Sequence, residues 1–485
     1  MSASYPSSPA RPTLASLLGS FAVEPGLPFA DVLPEQLILD LCRDEAVAFA
    51  TEPEDVFTPA ITLWAWLTQC LSAAKSCVAA VARVLVHRVA TNQPACSANT
   101  GGYCKARAKL PERFLRRLAL EVGLRLEDAA PDGWRYKGRR VLLADGAECS
   151  LPDTPANQQE YPQPGSQKKG LGFPMIRLVV LLTFATAGVV GCALGPQQGK
   201  ETGETALFRA LIGSLRCGDL VVADRYYCSW WLVALLRAVG VDVCFRLHQR
   251  RRYDFRRGRR LGRADHVVSW PKPARPAWMD EVSYAGLPDS LEVREVRAVV
   301  DNPGFRSREI IIATSLLDAD ADPRSDIAEL YHQRWHAELD IRAIKQTLGM
   351  DILGCKTPEM VRKEIWTHLL AYNLARKVMA QAAVQGQVRP RQLSFAGAVQ
   401  TLNAFRWALL LRLPGEGDGL VAAVLLAVST HRVGDRPGRV EPRKVKRRPG
   451  AAGSGRCAPG PGALTAGPAT DPRAPRNNTY NEFSM

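Results

Sequence analysis

A tyrosine, an arginine, a glutamate and a lysine follow one another as Tyr331, Arg334, Glu338 and Lys345, inside a stretch from Asp326 to Met350 whose spacing predicts a helix. The stretch opens on an Asp with Glu329 three residues on and closes near Gly349. On a wheel of about 100° per residue from Tyr331, Leu330, Ala337, Ile341, Ile344 and Leu348 gather within roughly 220 to 280° as a core-facing stripe. The four functional types fall beside it, at roughly 300 to 360°. Such a border holds a carboxylate rigidly while it still reaches a charged substrate. Arg334 and Lys345 there suit phosphates, Arg as a planar fork and Lys as a point charge. The same residues also fit a solvated helix face, on which Arg334 and Glu338 make an i,i+4 pair of roughly 0.2–0.5 kcal/mol.

Two further carboxylates stand in similar local contexts. The apolar run Val141-Leu142-Leu143-Ala144 ends on Asp145-Gly146, and Leu220-Val221-Val222-Ala223 ends on Asp224. A buried strand delivers a carboxylate to the rim of a sheet in this way. Between and after them the pattern predicts a long loop (Pro152 to Gly170), a hairpin (Met175 to Thr183 and Gly188 to Leu194) and a helix (Glu204 to Leu215). A helix (Trp231 to Val239) and a strand (Asp242 to Leu247) follow. Alternating strands and helices indicate an α/β layer architecture. With 48 acidic residues some Asp, Asp, Glu triple can always be found, so the local contexts carry the weight.

The spacing Y-x-x-R-x-x-x-E-x-x-x-x-x-x-K, together with Asp145-Gly146 and Asp224-Arg225 at strand ends, resembles the signature of bacterial insertion-sequence DDE transposases of the YREK type. The resemblance covers roughly Phe57 to Pro449, including Ser97 to Lys109 and His431 to Pro449. It implies an α/β fold: an RNase H-like catalytic core with a β-rich insertion, behind a helical N-terminal domain. The implied enzyme binds the terminal inverted repeats of its own mobile element, cuts there and joins the ends to target DNA. Asp145, Asp224 and Glu338 match the catalytic and metal-binding triad of that family, with two Mg²⁺ ions, or Mn²⁺ in their place, held by hard carboxylate oxygens. Tyr331, Arg334 and Lys345 then become DNA contacts, and pairing two DNA ends implies a dimer in the DNA complex. Two departures stand out. Glu309 to Leu330 lacks the Trp with which the family often holds a flipped base, and residues 450–485, rich in Gly, Ala and Pro, resemble a shifted frame or a degenerate terminus.

The bulk properties agree with a polyanionic partner. The 485 residues carry a net charge of +15, and clustered Lys and Arg gain affinity by releasing counterions from phosphates. Arg246 to Arg263 holds nine arginines with Tyr253 and Phe255 interleaved; Arg251, Arg252, Arg256 and Arg257, with Arg225, are candidate DNA contacts. Trp270 and Trp278 stack on a base or pack inside. Lys105 and Arg107 lie on a basic helix, Tyr103 to Val122, behind a capped helix that starts at Thr58-Pro59 and ends near Val86. That basic face suits DNA and equally an ordinary amphipathic helix.

The expected organisation is a disordered start (1–30), a helical DNA-binding domain (31–135), the first part of the core (136–249) and the insertion (250–307). The second part of the core with C-terminal helices (308–415) and a basic low-complexity tail (416–485) complete it. The uncharged stretch Leu178 to Leu194 reads as a buried hairpin, so no membrane partner is expected. Twelve scattered cysteines read as reduced thiols of a cytoplasmic, nucleoid-associated protein. His332 and His336 have a zinc-ligand spacing, but Gln333 breaks H-E-x-x-H, and both are read as surface residues. Two other functions fit the same residues: an RNase H-like DNA nuclease that cuts without joining, and a catalytically inactive DNA-binding relic.

Overall fold

The computed structural model describes residues 32–433 except 33, 53, 169, 300–308 and 412–417. The expected disordered start, the part of the expected 416–485 tail beyond 433 and most of the basic run His431 to Pro449 lie outside the described residues; the start of that tail is a correction, because Asp418–Thr430 is a helix whose Val421, Val424, Leu425 and Val428 are buried. The helices preceding the sheet are α1 (Glu35–Asp44), α2 (Pro59–Leu71), α3 (Cys77–Ala90), α4 (Gly101–Lys109) and α5 (Glu112–Asp128). The Thr58 hydroxyl caps α2, accepting the Ile61 N–H at 3.4 Å. The run expected to reach Val86 is two helices, because Ser76 caps a new one by accepting the Ala79 N–H at 3.1 Å. Tyr103 to Val122 likewise divides at Leu110-Pro111, where a proline cannot continue a helix already begun.

The sheet region runs β1 (Val141–Ser150), α6 (Pro155–Glu160), β2 (Met175–Thr183), β3 (Val189–Pro196), α7 (Glu204–Arg209), β4 (Leu220–Ala223), α8 (Trp230–Ala238) and β5 (Asp242–Arg246). Then come β6 (Arg259–Gly262), β7 (Asp265–Pro271), α9 (Glu281–Ala285), β8 (Ser290–Val299) and β9 (Glu309–Thr314). The described strands form one mixed sheet in the order β3-β2-β1-β4-β5-β9-β8-β7-β6. Neighbours among β1, β4 and β5 are parallel and all others antiparallel. The uncharged stretch Leu178 to Leu194 falls in the β2-β3 hairpin, as expected, and among the described residues no helix is long and apolar enough to cross a membrane. The expected insertion does not build a sheet of its own. Its β6, β7 and β8 continue the core sheet through β9.

Helices α10 (Arg324–His332), α11 (Trp335–Arg342), α12 (Pro358–Gln385), α13 (Phe395–Leu411) and α14 (Asp418–Thr430) complete the described chain. Alternate residues of β1 serve two cores. Val141, Leu143, Ala147 and Cys149 pack with α5 and α12, whereas Leu142 and Ala144 pack with α7 and α8. The long α12 is buried along most of its length and covers the β3 edge. Its Asn373 donates from Nδ2 to the carbonyls of Ala119 and Val189 at 2.8 and 2.9 Å, and its Oδ1 accepts the Val189 N–H at 2.8 Å. Gly123 of α5 lies so near that a Cβ there would meet the Val189 carbonyl oxygen at 2.0 Å. A sheet edge whose polar groups are paired in this way is closed to further strands.

Candidate active site

The parallel register of β1 and β4 ends on the pair Ala144 and Ala223, so the next residues, Asp145 and Asp224, lie side by side just past that pairing. Asp224 closes its strand as expected; its Oδ1 accepts the Arg225 N–H at 2.6 Å as the chain turns. Asp145 does not close its strand, which is a correction. β1 runs on to Ser150, paired with β2 alone, and Asp145 stands opposite Val180. By alternation Asp145 shares the face of Leu143 and Ala147, the side on which α11 packs against β1.

The expected single helix from Asp326 to Met350 is interrupted twice. Beyond α10 the chain tightens, with the Arg334 N–H bonded to the Tyr331 carbonyl at 3.0 Å and the Ala337 N–H to the Arg334 carbonyl at 2.9 Å. After α11 it widens into a π turn, Ala343–Thr347. Such interruptions occur frequently at functional sites. The apolar stripe survives them, since Leu330, Ala337, Ile344 and Leu348 are buried. The stretch closes on Gly349 with φ +62°, where the Lys75 ammonium donates to the Leu348 carbonyl.

Arg334 and Glu338 form an ion pair, Nη2 to Oε1 at 2.6 Å, with the guanidinium mostly buried and the carboxylate more open. Tyr331, expected among the DNA-facing side chains, is buried; its phenol lies in the field of Arg334, Asp224 and Arg246, so it supports the site from within. Lys345 is half-buried in the π turn.

The carboxylates share one field. Burial above all pushes the Asp145 carboxyl up to about 6; the Gly146 N–H and Arg334 oppose the rise, and Glu338 and Glu204 add to it. Asp224 acts on Arg334, Tyr331 and Glu204. Glu204 is a fourth carboxylate that the sequence reasoning missed. Burial raises it too, and the Tyr227 hydroxyl donates to its Oε2 at 3.4 Å. It fits because Gly146 has no side chain: a Cβ there would lie 2.4 Å from the Glu204 Cδ. The glycine after Asp145 was the one available signal. Among the described residues no three acid, thiol or imidazole side chains converge closely enough to hold an ion as they stand.

The model of the transposase DDE domain matches residues 136–374, a span that contains Asp145, Asp224 and Glu338. Over 351 residues the chain is 27% identical to the transposase InsG for insertion sequence element IS4 of Escherichia coli (strain K12), a match covering 71% of this chain and 76% of that protein. Residues 136–374 thus carry a transposase DDE domain. Among solved structures it is similar to a piggyBac transposase in a synaptic complex with hairpin DNA, at 10% identity and a TM-score of 0.41 over 88% of each chain.

The other candidate residues fall into two groups. Lys105, Arg252, Arg256 and Arg257 are exposed. Arg225, beside Asp224, bonds Gln249 Oε1 at 3.0 Å and lies 5.6 Å from the exposed Tyr226 ring. Arg251 is half-buried, stacked 3.7 Å from the Trp270 ring. Arg107 is a correction: it is buried, 4.9 Å from the rings of both Trp66 and Tyr103 and 3.4 Å from the Cys77 sulfur, so it packs α4 and presents no charge to DNA. Trp270 is buried and donates to Glu295 at 3.1 Å, while Trp278 lies between Arg209 and Trp231; both pack. Every described cysteine is a free thiol. His332 is exposed, but His336 is half-buried and brought down to about 4, by burial first and then by Arg391.

Proposed function

We propose that this protein is a DDE transposase that binds the terminal inverted repeats of its mobile element, cuts the DNA there and joins the freed ends to target DNA. Asp145, Asp224 and Glu338 are the catalytic and metal-binding carboxylates. The observation that carries the reading is the β1/β4 register, which sets two aspartates side by side beneath the helix of Glu338. The strand order β3-β2-β1-β4-β5 supports an RNase H-like core, with 250–307 as its extension and 31–135 as a helical DNA-binding domain.

The donor set fits a hard divalent cation. Three carboxylates supply oxygen; burial above all, and then the Glu338 and Glu204 charges, disfavour the ionised Asp145, and a bound cation offsets both. Two Mg²⁺ ions, or Mn²⁺, would neutralise charge on the leaving oxygen and activate a water or 3′-hydroxyl. Arg334, released from Glu338, and Lys345 hold the phosphates flanking the cut, and Arg225 with Arg252, Arg256 and Arg257 extends the basic track. Tyr331 buttresses Arg334 from below. Pairing two ends calls for a dimer in the DNA complex, acting on the nucleoid in the cytoplasm.

The test incubates purified protein with element-end duplex and Mg²⁺ and follows nicking and joining. Nicks and joined products from wild type, lost in Asp145→Asn, Asp224→Asn and Glu338→Gln, are expected. Cleavage that survives all three substitutions removes the triad. Nicking without joined product would instead favour an RNase H-like nuclease.

A further inference from the structure

Two residues beyond Glu338 on α11 stands Asp340, a carboxylate buried to 2% exposure. It holds two guanidinium groups. Arg376 of α12 donates from Nη2 to Oδ1 at 2.5 Å, and Arg391 donates from Nη1 to Oδ2 at 2.7 Å. Neither arginine ends there. Arg376 also donates to the Tyr372 hydroxyl at 2.9 Å. Arg391 donates to the carbonyls of Thr183 and Phe184, at 2.8 and 2.6 Å, where β2 ends. Thr183 pairs across β2 with Leu142 of β1, three residues before Asp145.

The helix that carries Glu338 is short and flanked by two departures from regular α-helix. α11 spans only Trp335–Arg342, with the tightened turn at Arg334 before it and the π turn after it. Neither flank transmits a regular helical phase, so contacts made by α11 itself must fix its azimuth. A step of two residues turns a helix by about 200°, so a clamp on Asp340 sets the direction of Glu338 on the other side. Arg391 refers that direction to β2, the strand beside the one bearing Asp145.

We infer that Asp340, clamped by Arg376 and Arg391, is a positioning residue that aims Glu338 at Asp145 and Asp224. The inference rests on the metal-binding role proposed for Glu338. Asp340 touches neither DNA nor the reacting atoms; it acts through the helix. Ligand-orienting partners of this kind alter metal affinity by roughly 10- to 100-fold when removed.

The experiment measures Mn²⁺ binding to the full chain by electron paramagnetic resonance of free Mn²⁺, and Mg²⁺ dependence of end nicking, in wild type, Asp340→Asn, Arg391→Gln and Glu338→Gln. Thermal melts establish the folded fraction. For Asp340→Asn we expect about tenfold weaker Mn²⁺ binding per folded molecule, a matching rise in the Mg²⁺ needed for half-maximal nicking, and recovery of the rate at saturating Mg²⁺. Arg391→Gln should show the same pattern to a smaller extent, and it decides the matter if Asp340→Asn does not fold. Glu338→Gln should weaken binding without recovery of the rate. Unchanged Mn²⁺ affinity in Arg391→Gln and any folded Asp340→Asn, with weaker binding in Glu338→Gln, overturns the positioning role alone. Unchanged affinity in Glu338→Gln overturns the metal-site reading and this inference with it.

Discussion

Asp265 and Asp145 belong to the same sheet but stand in opposite electrostatic surroundings. In the antiparallel half, Asp265 receives both Arg294 Nη2 and Nε, at 2.6 and 2.8 Å, and Glu295 beside it receives His266 and Trp270, each at 3.1 Å. Arg294 is buried and spends its third nitrogen on the carbonyls of Leu316, Asp318 and Asp322. In the parallel half, Asp145 has the Gly146 N–H at 2.9 Å, while the nearby guanidinium of Arg334 is taken by Glu338. Buried acids with a bidentate arginine are neutralised within the fold. Acids held against one another keep a field that an external cation would relieve.

The sharpest way to break this comparison is to neutralise an acid in each half. Asp145→Asn, Asp224→Asn or Glu338→Gln should each lower Mg²⁺-dependent nicking on the order of 10³-fold, a loss typical when charge stabilisation at a reacting phosphate or carbonyl is removed. Asp265→Asn should leave the rate per folded molecule near wild type. Equal losses from the two substitutions, at equal folded fractions, would mean that the two halves do not differ in this way.

Removing the cation from the paired half tests the other side. Arg294→Ala leaves Asp265 buried without its partner and should cost about 3–5 kcal/mol of stability, read from urea unfolding. The double change Arg294→Met with Asp265→Leu should recover most of it, because a buried pair replaced by apolar groups is often nearly neutral. A loss below about 1 kcal/mol in Arg294→Ala would show that the pair does not hold the antiparallel half together.

Asp145 gives a smaller effect of opposite sign. Its folded pKa, about 6, lies above the ordinary aspartate value of about 3.9, so the folded chain binds more protons between those values and stability falls as pH rises through that window. Asp145→Asn removes the fall and should raise stability at pH 7.5 on the order of 1 kcal/mol, after allowance for solvent screening of a partly exposed group. Mn²⁺ binding to wild type should weaken as pH drops below about 6, where protonation of Asp145 competes with the ion. A melting temperature of Asp145→Asn lower than wild type across pH 5 to 8 would show that burying the ionised Asp145 does not cost stability.

The residues that made this comparison legible from sequence are those whose signal is local. The runs 141–144 and 220–223 are apolar because parallel strands are covered on both faces, and each leads into its Asp. Tyr331, Arg334, Glu338 and Lys345 were visible through spacing alone. The interruptions of their helix were not, since every residue from Asp326 to Leu348 is compatible with a regular one. Asp340 looked like one more polar residue until Arg376 and Arg391, 36 and 51 residues away, closed on it. Arg107 failed for the same reason: its neighbours Trp66 and Cys77 come from other helices. Periodicity reports which face is buried, and it is silent about which distant charge makes burial of a polar residue possible.

Arg251 and Arg252 carry the comparison to its smallest effect, because they are adjacent in the chain and differ only in what surrounds them. Arg252 is exposed, so its phosphate contact would appear as counterion release: Arg252→Ala should reduce the slope of log binding constant against log salt by about 0.9. Arg251 is half-buried with its guanidinium 3.7 Å from the Trp270 ring, and burial lowers its pKa. Arg251→Ala should therefore cost about 1 kcal/mol of stability through the lost cation–π contact and leave the salt slope nearly unchanged. Titrations of element-end DNA at several salt concentrations, paired with melts, separate the two. A reduced slope for Arg251→Ala with unchanged melting would mean that the stacked arginine swings out to DNA, and the division between packed and phosphate-binding arginines would then fail in this part of the sheet.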